Sequence, residues 1–274
     1  MPELPEVETI KSELSPHIVG RQFTGVTVYD AKPVRRPSVE EFCRELVGQK
    51  VERLERRGKY LVFHLSSGQT LIVHLKMTGV LLLNPGQVDA YVRVVFHLDN
   101  DSRLVFSDRR RLGALWLVDN EKAIISKLGP EPLAAEFTAE ALAGRLQKHQ
   151  APIKAVLLDQ AFLAGLGNMY ADEVLFVTRI HPLRRANSLS SQEVQQLHQT
   201  IRDVLQSAIG NKGASIDTYT RPGGGLGTAH FNFRVAHRGG EPCPVCGTPI
   251  QRLAVRNRGS YFCPACQKLL VPRP

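Results

Sequence analysis

Two short stretches of this sequence hold residue types whose spacing could do chemistry. The first is Cys243-Pro-Val-Cys246, followed after sixteen residues by Cys263-Pro-Ala-Cys266. That spacing lets two tight turns present four thiolates tetrahedrally to one zinc ion. All four ligand positions are then filled by protein, with none open to water or substrate, so the expected zinc is structural. Such a site should stabilise its own segment, by an apparent ~10 to 16 kcal/mol in isolated zinc peptides. Arg252, Arg256 and Arg258 fall between the cysteine pairs. The metal is therefore expected to stiffen a hairpin that offers guanidinium groups to phosphates, although zinc ribbons also bind proteins.

The second stretch is Met1-Pro2-Glu3-Leu4-Pro5-Glu6-Val7-Glu8. Read structurally, its prolines preset a helix start and its carboxylates favour the positive end of that helix. Read chemically, removal of Met1 would expose Pro2 as a secondary amine. An α-amino group, with a pKa of about 8, is far more often neutral near pH 7 than a lysine at about 10.4. A neutral amine can attack a carbon such as C1′ of a sugar, and a secondary amine gives a cationic iminium directly. Glu3 would stand beside it as acid or base. Both readings are open at this point.

The elements that must position these groups change character along the chain. Residues 5–14 read as a short helix with Val7, Ile10 and Leu14 on one face, stopped by Ser15-Pro16. Short segments at 23–29, 50–56, 60–65, 70–75, 91–98, 103–106 and 114–118 are rich in Val, Leu and aromatics and read as strands. Turn signals at Ser66-Ser67-Gly68 and Asp99-Asn100-Asp101 make neighbours antiparallel, giving a sandwich or barrel. Gly129-Pro130-Glu131-Pro132 is a stiff break. Beyond it the pattern is helical, best seen at 190–210, where Val194, Leu197, Ile201, Val204 and Leu205 form one stripe before Gly210. The run Arg221-Pro222-Gly223-Gly224-Gly225-Leu226-Gly227 supports no regular element and is expected to be a mobile loop. The expected fold is therefore α+β in two domains. Residues 1–120 form an N-terminal antiparallel β-sandwich flanked by helices, 121–136 a linker, 137–232 a helical domain and 233–274 a zinc-ribbon finger.

At 274 residues and 43% hydrophobic content the chain has ample material for a core in each domain. The formal net charge of +9 suits a polyanionic partner, nucleic acid first, but also fits an ordinary basic enzyme. No stretch approaches the roughly 18 to 20 apolar residues a membrane helix needs. The first twenty residues carry Glu3, Glu6, Glu8 and Glu13, so a cytoplasmic protein is expected. Five cysteines, four of them clustered, are too few for a disulfide scaffold, and Cys43 reads as a small hydrophobe in a helix.

Pro2-Glu3-Leu4-Pro5-Glu6, Arg57-Gly58-Lys59-Tyr60-Leu61, His74-Leu75-Lys76-Met77-Thr78-Gly79, Gly165-Leu166-Gly167-Asn168 and the cysteine ribbon occur here in one order. Together they resemble the formamidopyrimidine-DNA glycosylase family, relatives of endonuclease VIII, from the first residue to the last cysteine. The resemblance implies a β-sandwich, a helix-two-turns-helix domain and a zinc finger, with DNA in a basic cleft between the domains. It implies that Pro2 attacks C1′ of an oxidised purine nucleotide while Glu3 protonates the sugar ring oxygen. The base is lost, and β- and δ-eliminations cut both flanking phosphodiesters. Lys59 would contact the phosphate or the damaged base. Met77, Arg110 and Leu112 would fill the space left when the nucleotide is rotated out of the helix. His74, Lys154, Asn168 and Arg258 match DNA phosphate contacts, and Asn168 would act with the backbone N–H groups of a helix start.

Three departures from the family pattern stand out. Leu112 replaces a common Phe, Tyr91 stands where a DNA-contacting His is frequent, and Ala236-His237-Arg238 replaces Tyr-Gly-Arg. The implied partner is double-stranded DNA carrying an oxidised base or an abasic site, bound by a monomer. Alternatives are an endonuclease VIII-like preference for oxidised pyrimidines and a non-catalytic protein that binds damaged DNA. RNA fits less well, since no aromatic-rich stacking sheet is seen.

Overall fold

Leu4, Val7, Ile10, Leu14 and Ile18 recur every three or four residues. In the computed structural model, which describes residues 1–86 and 90–269, each is at most 1% exposed. They form the buried stripe of α1 (Leu4–Ile18), which packs on the strand Val51–Arg57. The helix runs past Ser15-Pro16, where the sequence reading stopped it. Proline removes only one backbone donor in the last turn, and the Val19 N–H still reaches Ser15 O at 3.1 Å. Burial of Ile18, a contribution of roughly 1.5–3 kcal/mol, favours the extra turn.

The chain forms two compact units, residues 1–126 with 208–230, and residues 127–207 with 231–274. After α1 the first unit runs β1 (Phe23–Val28), β2 (Val34–Arg36), α2 (Val39–Leu46), β3 (Val51–Arg57), β4 (Tyr60–Leu65) and β5 (Thr70–His74). It continues with β6 (Gly79–Leu83), β7 (Val92–Leu98), β8 (Arg103–Asp108), β9 (Ala114–Val118) and the short α3 (Lys122–Ile125). Two sheets result, ordered β1-β7-β8-β6 and β2-β9-β5-β4-β3. Period-two patterning builds the layer between them: Val94, Phe96 and Leu98 from one sheet share a cluster with Leu61, Phe63 and Leu65 from the other. Phe42 and Leu46 of α2 and the flank of Cys43 join the same core.

The expected strands at 23–29 and 60–65 correspond to β1 and β4, but β2 and β6 were not foreseen, and β2 pairs with β9 in parallel. Three residues are too short to show a period. Gly79-Val80-Leu81-Leu82-Leu83 does not alternate, because Leu81 enters the main core while Leu82 packs against a separate patch of Val92, Val95 and Val105.

The second unit contains α4 (Ala139–Leu146), α5 (Ile153–Leu157), α6 (Asn168–Val177) and most of α7 (Ser191–Gly210), whose end from Ala208 belongs to the first unit. Val194, Leu197, Ile201 and Leu205 are buried, while Val204 lies at the edge of the stripe. Strands β10 (Gln251–Val255) and β11 (Arg258–Phe262) form the expected hairpin between the cysteine pairs. Its turn places Arg256 and Asn257 at φ 45° and 61°, the backbone that matches strand twist. No helix among the described residues is long and apolar enough to cross a membrane.

Segment 208–230 returns to the first unit. Ala214 N–H donates to Glu6 Oε1 at 2.8 Å, Arg221 pairs with Glu13 at 2.6 Å, and Leu83 N–H reaches Pro222 O at 2.9 Å. Residues 221–227 hold neither helix nor strand and close on themselves through Arg221 N–H to Gly225 O at 2.8 Å. Only the base of this loop is crowded. A Cβ at Gly227 would stand 2.2 Å from Lys212 O, whereas one at Gly223 would meet nothing. Gly227→Ala should therefore lower the unfolding free energy by about 1–3 kcal/mol in a urea titration, and Gly223→Ala should stay within about 0.5 kcal/mol. Equal effects would mean that the loop base is not packed in this way.

Candidate functional site

Pro2 and Glu3 are both buried at the start of α1, where Glu3 is 2% exposed. Chain ends are ordinarily mobile unless tied down, and here several bonds do the tying. Glu3 N–H donates to Glu6 Oε2 at 2.7 Å, and Glu6, with no exposed surface, also receives Ala214 N–H. One turn later Glu8 accepts Arg56 Nε at 2.7 Å, while Arg56 Nη1 bonds Gly58 O at 3.1 Å. Burial alone would raise the Glu8 carboxyl, but Lys11 and Arg56 hold it below the usual range. The start of α1 is thus fixed to the two-residue turn Gly58-Lys59 between β3 and β4. Lys59 is 5% exposed, so it is not the solvated strand lysine that the sequence alone would favour.

On the neighbouring strand, the His74 ring stands edge-on to Tyr60 with centroids 4.5 Å apart. Its Nδ1 accepts Lys76 N–H at 2.9 Å, which leaves the ring proton on Nε2 as a donor. Burial, with the charges of Lys76 and Lys59, lowers His74 to about 3. It is a neutral hydrogen-bond donor at physiological pH.

Past His74, Met77 is 39% exposed on the turn between β5 and β6. Arg110 is exposed and Leu112 half-buried on the turn between β8 and β9. Asp108, buried, bonds both turns through Thr78 Oγ1 and through the N–H groups of Arg110, Leu112 and Gly113. Tyr91 is 41% exposed; its ring lies 5.7 Å from the Arg109 guanidinium, and its carbonyl accepts Asp108 N–H.

In the second unit Asn168 is the first residue of α6. Its Nδ2 donates to Gly259 O at 2.9 Å, so the helix start is bonded to the strand that begins with exposed Arg258. Lys154 is not on the surface. It is fully buried, with Nζ 2.5 Å from Asp172 Oδ1. Burial pushes the Asp172 carboxyl up, and the Lys154 ammonium opposes that rise. Next to it, the Glu173 carboxylate receives backbone N–H groups from Arg234, Val235 and Ala236 at 2.8 to 3.0 Å and so orders the approach to the cysteine hairpin.

The four cysteine Sγ atoms lie within 4.8 Å of one another. Cys243–Cys266, Cys246–Cys263 and Cys246–Cys266 are separated by 3.9, 3.5 and 3.5 Å. A tetrahedron with Zn–S bonds of about 2.3 Å has S···S edges of roughly 3.8 Å, so the site fits one zinc ion. Val245 N–H and Cys266 N–H point at the Cys243 and Cys263 sulfurs at 3.4 and 3.5 Å.

Three family models match successive parts of the chain. They are the formamidopyrimidine-DNA glycosylase N-terminal domain at 1–115, the formamidopyrimidine-DNA glycosylase H2TH domain at 128–220, and the zinc finger found in FPG and IleRS at 240–269. A protein of Chloroflexus aurantiacus named formamidopyrimidine-DNA glycosylase is 45% identical over 97% of this chain and 98% of its own. One of the same name from Listeria innocua is 37% identical over 98% and 100%. Among solved structures, a Lactococcus lactis FPG mutant in complex with a Fapy-dG containing DNA superposes with a TM-score of 0.91 at 35% identity, covering 98% of this chain and 100% of that one. The Lactococcus lactis Fpg complex with an abasic site containing DNA gives 0.90 at 34%, over 97% and 100%. The chain belongs to the formamidopyrimidine-DNA glycosylase family.

Sequence reading missed the carboxylates that hold these groups. Glu6 had a signal, its spacing of three from Glu3 as in a capping box. Asp108 had one too, an Asp that closes a strand before a Gly-terminated turn. Asp172 and Glu173 had none, since only the fold shows that they face inward.

Two measurements follow from this geometry. Between pH 6.5 and about 3 the unfolded chain binds a proton that folded His74 refuses, so His74 costs stability as pH falls through that window, by at most about 1.4 kcal/mol per pH unit. His74→Gln should flatten the fall in unfolding free energy between pH 7 and pH 5 by about 2 kcal/mol, and an unchanged slope would show that the imidazole is not held neutral. Stripping the metal with a chelator should remove hydrogen-exchange protection from residues 243–267 while β4 and β5 keep theirs. Retained protection in that segment would mean that zinc does not hold it.

Proposed function

We propose that this chain is a bifunctional DNA glycosylase and abasic-site lyase that excises oxidised purines, formamidopyrimidines and 8-oxoguanine, from duplex DNA. The observation that carries the reading is the burial of Pro2 and Glu3 at a helix start tied down by Glu6, Glu8 and Arg56. The names of the relatives, and the Fapy-dG and abasic-site DNA in the matched complexes, support the same substrate class.

In the proposed reaction, Met1 is removed and the Pro2 nitrogen becomes a secondary amine. Its lone pair attacks C1′ as the bond from C1′ to the base breaks, and the Pro2 N–H proton passes to the departing base. Glu3 then protonates O4′ as the C1′–O4′ bond opens and the nitrogen lone pair forms the iminium. The iminium acidifies C2′–H. Loss of that proton expels the 3′-phosphate, and a second elimination through C4′–H expels the 5′-phosphate. Lys59 serves the phosphate or the base beside the reacting sugar. His74, Asn168 and Arg258 contact phosphates, and Lys154, through Asp172, holds the helix that Asn168 begins. Tyr91 lies along the DNA path, and Met77, Arg110 and Leu112 occupy the vacated stack. The protein acts as a monomer on cytoplasmic DNA.

Borohydride trapping on a duplex with one 8-oxoguanine opposite cytosine tests this reading, alongside intact-mass analysis of the active protein. Wild type should give a covalent adduct and cut both flanking phosphates. Pro2→Gly, which leaves a primary amine, should impair adduct formation, and Glu3→Gln should slow excision by roughly 10²-fold or more. An adduct only on oxidised-pyrimidine duplexes would favour an endonuclease VIII-like enzyme. Tight binding without any adduct, in protein that has lost Met1, would leave a DNA-binding role alone.

A further inference from the structure

Two strand connections pass from one sheet to the other side by side. Residues 75–78 lead β5 into β6, and residues 109–113 lead β8 into β9. The first exposes Met77 and the second exposes Arg110 with half of Leu112. A single carboxylate joins them. Asp108, with no exposed surface, accepts Thr78 Oγ1–H at 2.5 Å and Arg110 N–H at 3.2 Å on Oδ1. Its Oδ2 accepts Leu112 N–H at 2.8 Å and Gly113 N–H at 2.6 Å. Thr78 Oγ1 also receives Arg110 N–H at 3.0 Å.

This is more than the closure of one turn requires. The bonds to Leu112 and Gly113 close the second connection by themselves, whereas the Thr78 bond reaches into the other. Each connection also holds a residue in the left-handed region, Lys76 at φ 54° and Arg111 at φ 57°. Such backbone costs roughly 1–2 kcal/mol and persists where its surroundings over-determine it. The second connection is braced further. A Cβ at Gly113 would stand 2.4 Å from Phe106 Cζ in the core, and Arg111 is held by Asp30 at 2.5 and 2.9 Å.

We propose that Asp108 is a positioning residue that locks Met77, Arg110 and Leu112 into one wedge, so that the three enter the base stack as a unit. The inference rests on the reading above that these residues fill the space left by the extruded nucleotide. Two separate turns would each lose conformational freedom at the moment of insertion. Turns joined beforehand have lost that freedom during folding, so less of the binding energy is consumed in ordering them.

Thr78→Val tests the lock because it cuts the link between the connections and leaves the closure of the second intact. Thr78→Ser keeps the hydroxyl, and Asp108→Asn puts an amide donor where N–H groups need an acceptor. Three measurements are compared: single-turnover excision of 8-oxoguanine from duplex, borohydride trapping on a single-stranded abasic oligonucleotide, which has no stack to fill, and urea unfolding. Thr78→Val removes the bonds to Asp108 and from Arg110 N–H, which keeps Asp108 as an acceptor, and should slow duplex excision about tenfold while leaving single-strand trapping within about twofold. Thr78→Ser should restore the duplex rate, and Asp108→Asn should lose about a hundredfold or more on duplex alone. With 2-aminopurine beside the lesion, the fluorescence rise on mixing should slow in the same order. An active wild type whose Thr78→Val variant excises from duplex at the normal rate overturns the lock and leaves the catalytic reading standing. Parallel losses on duplex and single strand, tracking a fall in unfolding free energy, also overturn it and leave Asp108 as a support of the fold. A wild type that traps nothing on either substrate overturns the catalytic reading, and the lock with it.

Discussion

The first unit depends on one buried carboxylate near the start of the chain. Glu6 has no exposed surface, yet it accepts Glu3 N–H from its own helix and Ala214 N–H from a segment two hundred residues later. A charge removed from water is tolerated only where hydrogen bonds replace hydration. Glu6 therefore obliges the two segments to meet, and three further features follow from that meeting. The start of α1 cannot fray, Gly213 must lack a side chain because a Cβ there would stand 2.9 Å from Glu6, and the 221–227 loop springs from a fixed base. Tyr219 packs at the same place, where burial and the Glu6 charge push its hydroxyl up.

The same device recurs away from the chain start. Asp108 collects the donors of the β8–β9 turn, and Glu173 collects three consecutive N–H groups ahead of the cysteine hairpin. Asp172, beside it, faces the buried ammonium of Lys154. Acidic residues are thus used inside the fold to order backbone that no helix or sheet satisfies. Arg109, Arg110, Arg252, Arg256 and Arg258 remain exposed. A net charge of +9 understates how basic the exposed residues are, because part of the compensating negative charge is buried. A polyanion approaching either unit would meet its arginines first, since the carboxylates that fix their backbones are buried.

How much of this was legible in the sequence depended on whether the deciding interaction was local. The α1 stripe, the alternating strands, the α7 stripe and the cysteine spacing are each set by residues within a few positions of one another, and the structure shows them close to where they were read. What failed were features decided at a distance. Pro16 reads locally as a stop, but Ile18 has a place in the core. Strand β2 exists only because β9 runs beside it. Lys154 reads as a surface lysine until Asp172, eighteen residues away, is found against it. At the candidate site the residues that could meet DNA were legible as motifs, whereas of the carboxylates that hold them Glu6 and Asp108 left only a local spacing as a signal and Glu173 left none.

The departures from the family pattern can be weighed in the same physical terms. His237 stands where Tyr-Gly-Arg would place glycine, and its φ of 63° shows why glycine suits that position. A residue with a Cβ gives up roughly 1–2 kcal/mol to adopt this backbone. Histidine offsets part of that cost, because its ring packs against Tyr261 of β11 with centroids 5.8 Å apart and planes inclined by 30°. The substitution therefore trades backbone freedom for a side-chain contact onto the zinc hairpin, in the segment that Glu173 already orders. Leu112 is a different case. The N–H bond to Asp108 fixes its backbone whatever side chain it carries, so exchanging an aromatic ring for leucine changes the surface this turn presents and leaves the turn itself the same. The backbone of these turns is specified by buried carboxylates and their outward chemistry by side chains at the surface, so the side chains can change without refolding the turns beneath them.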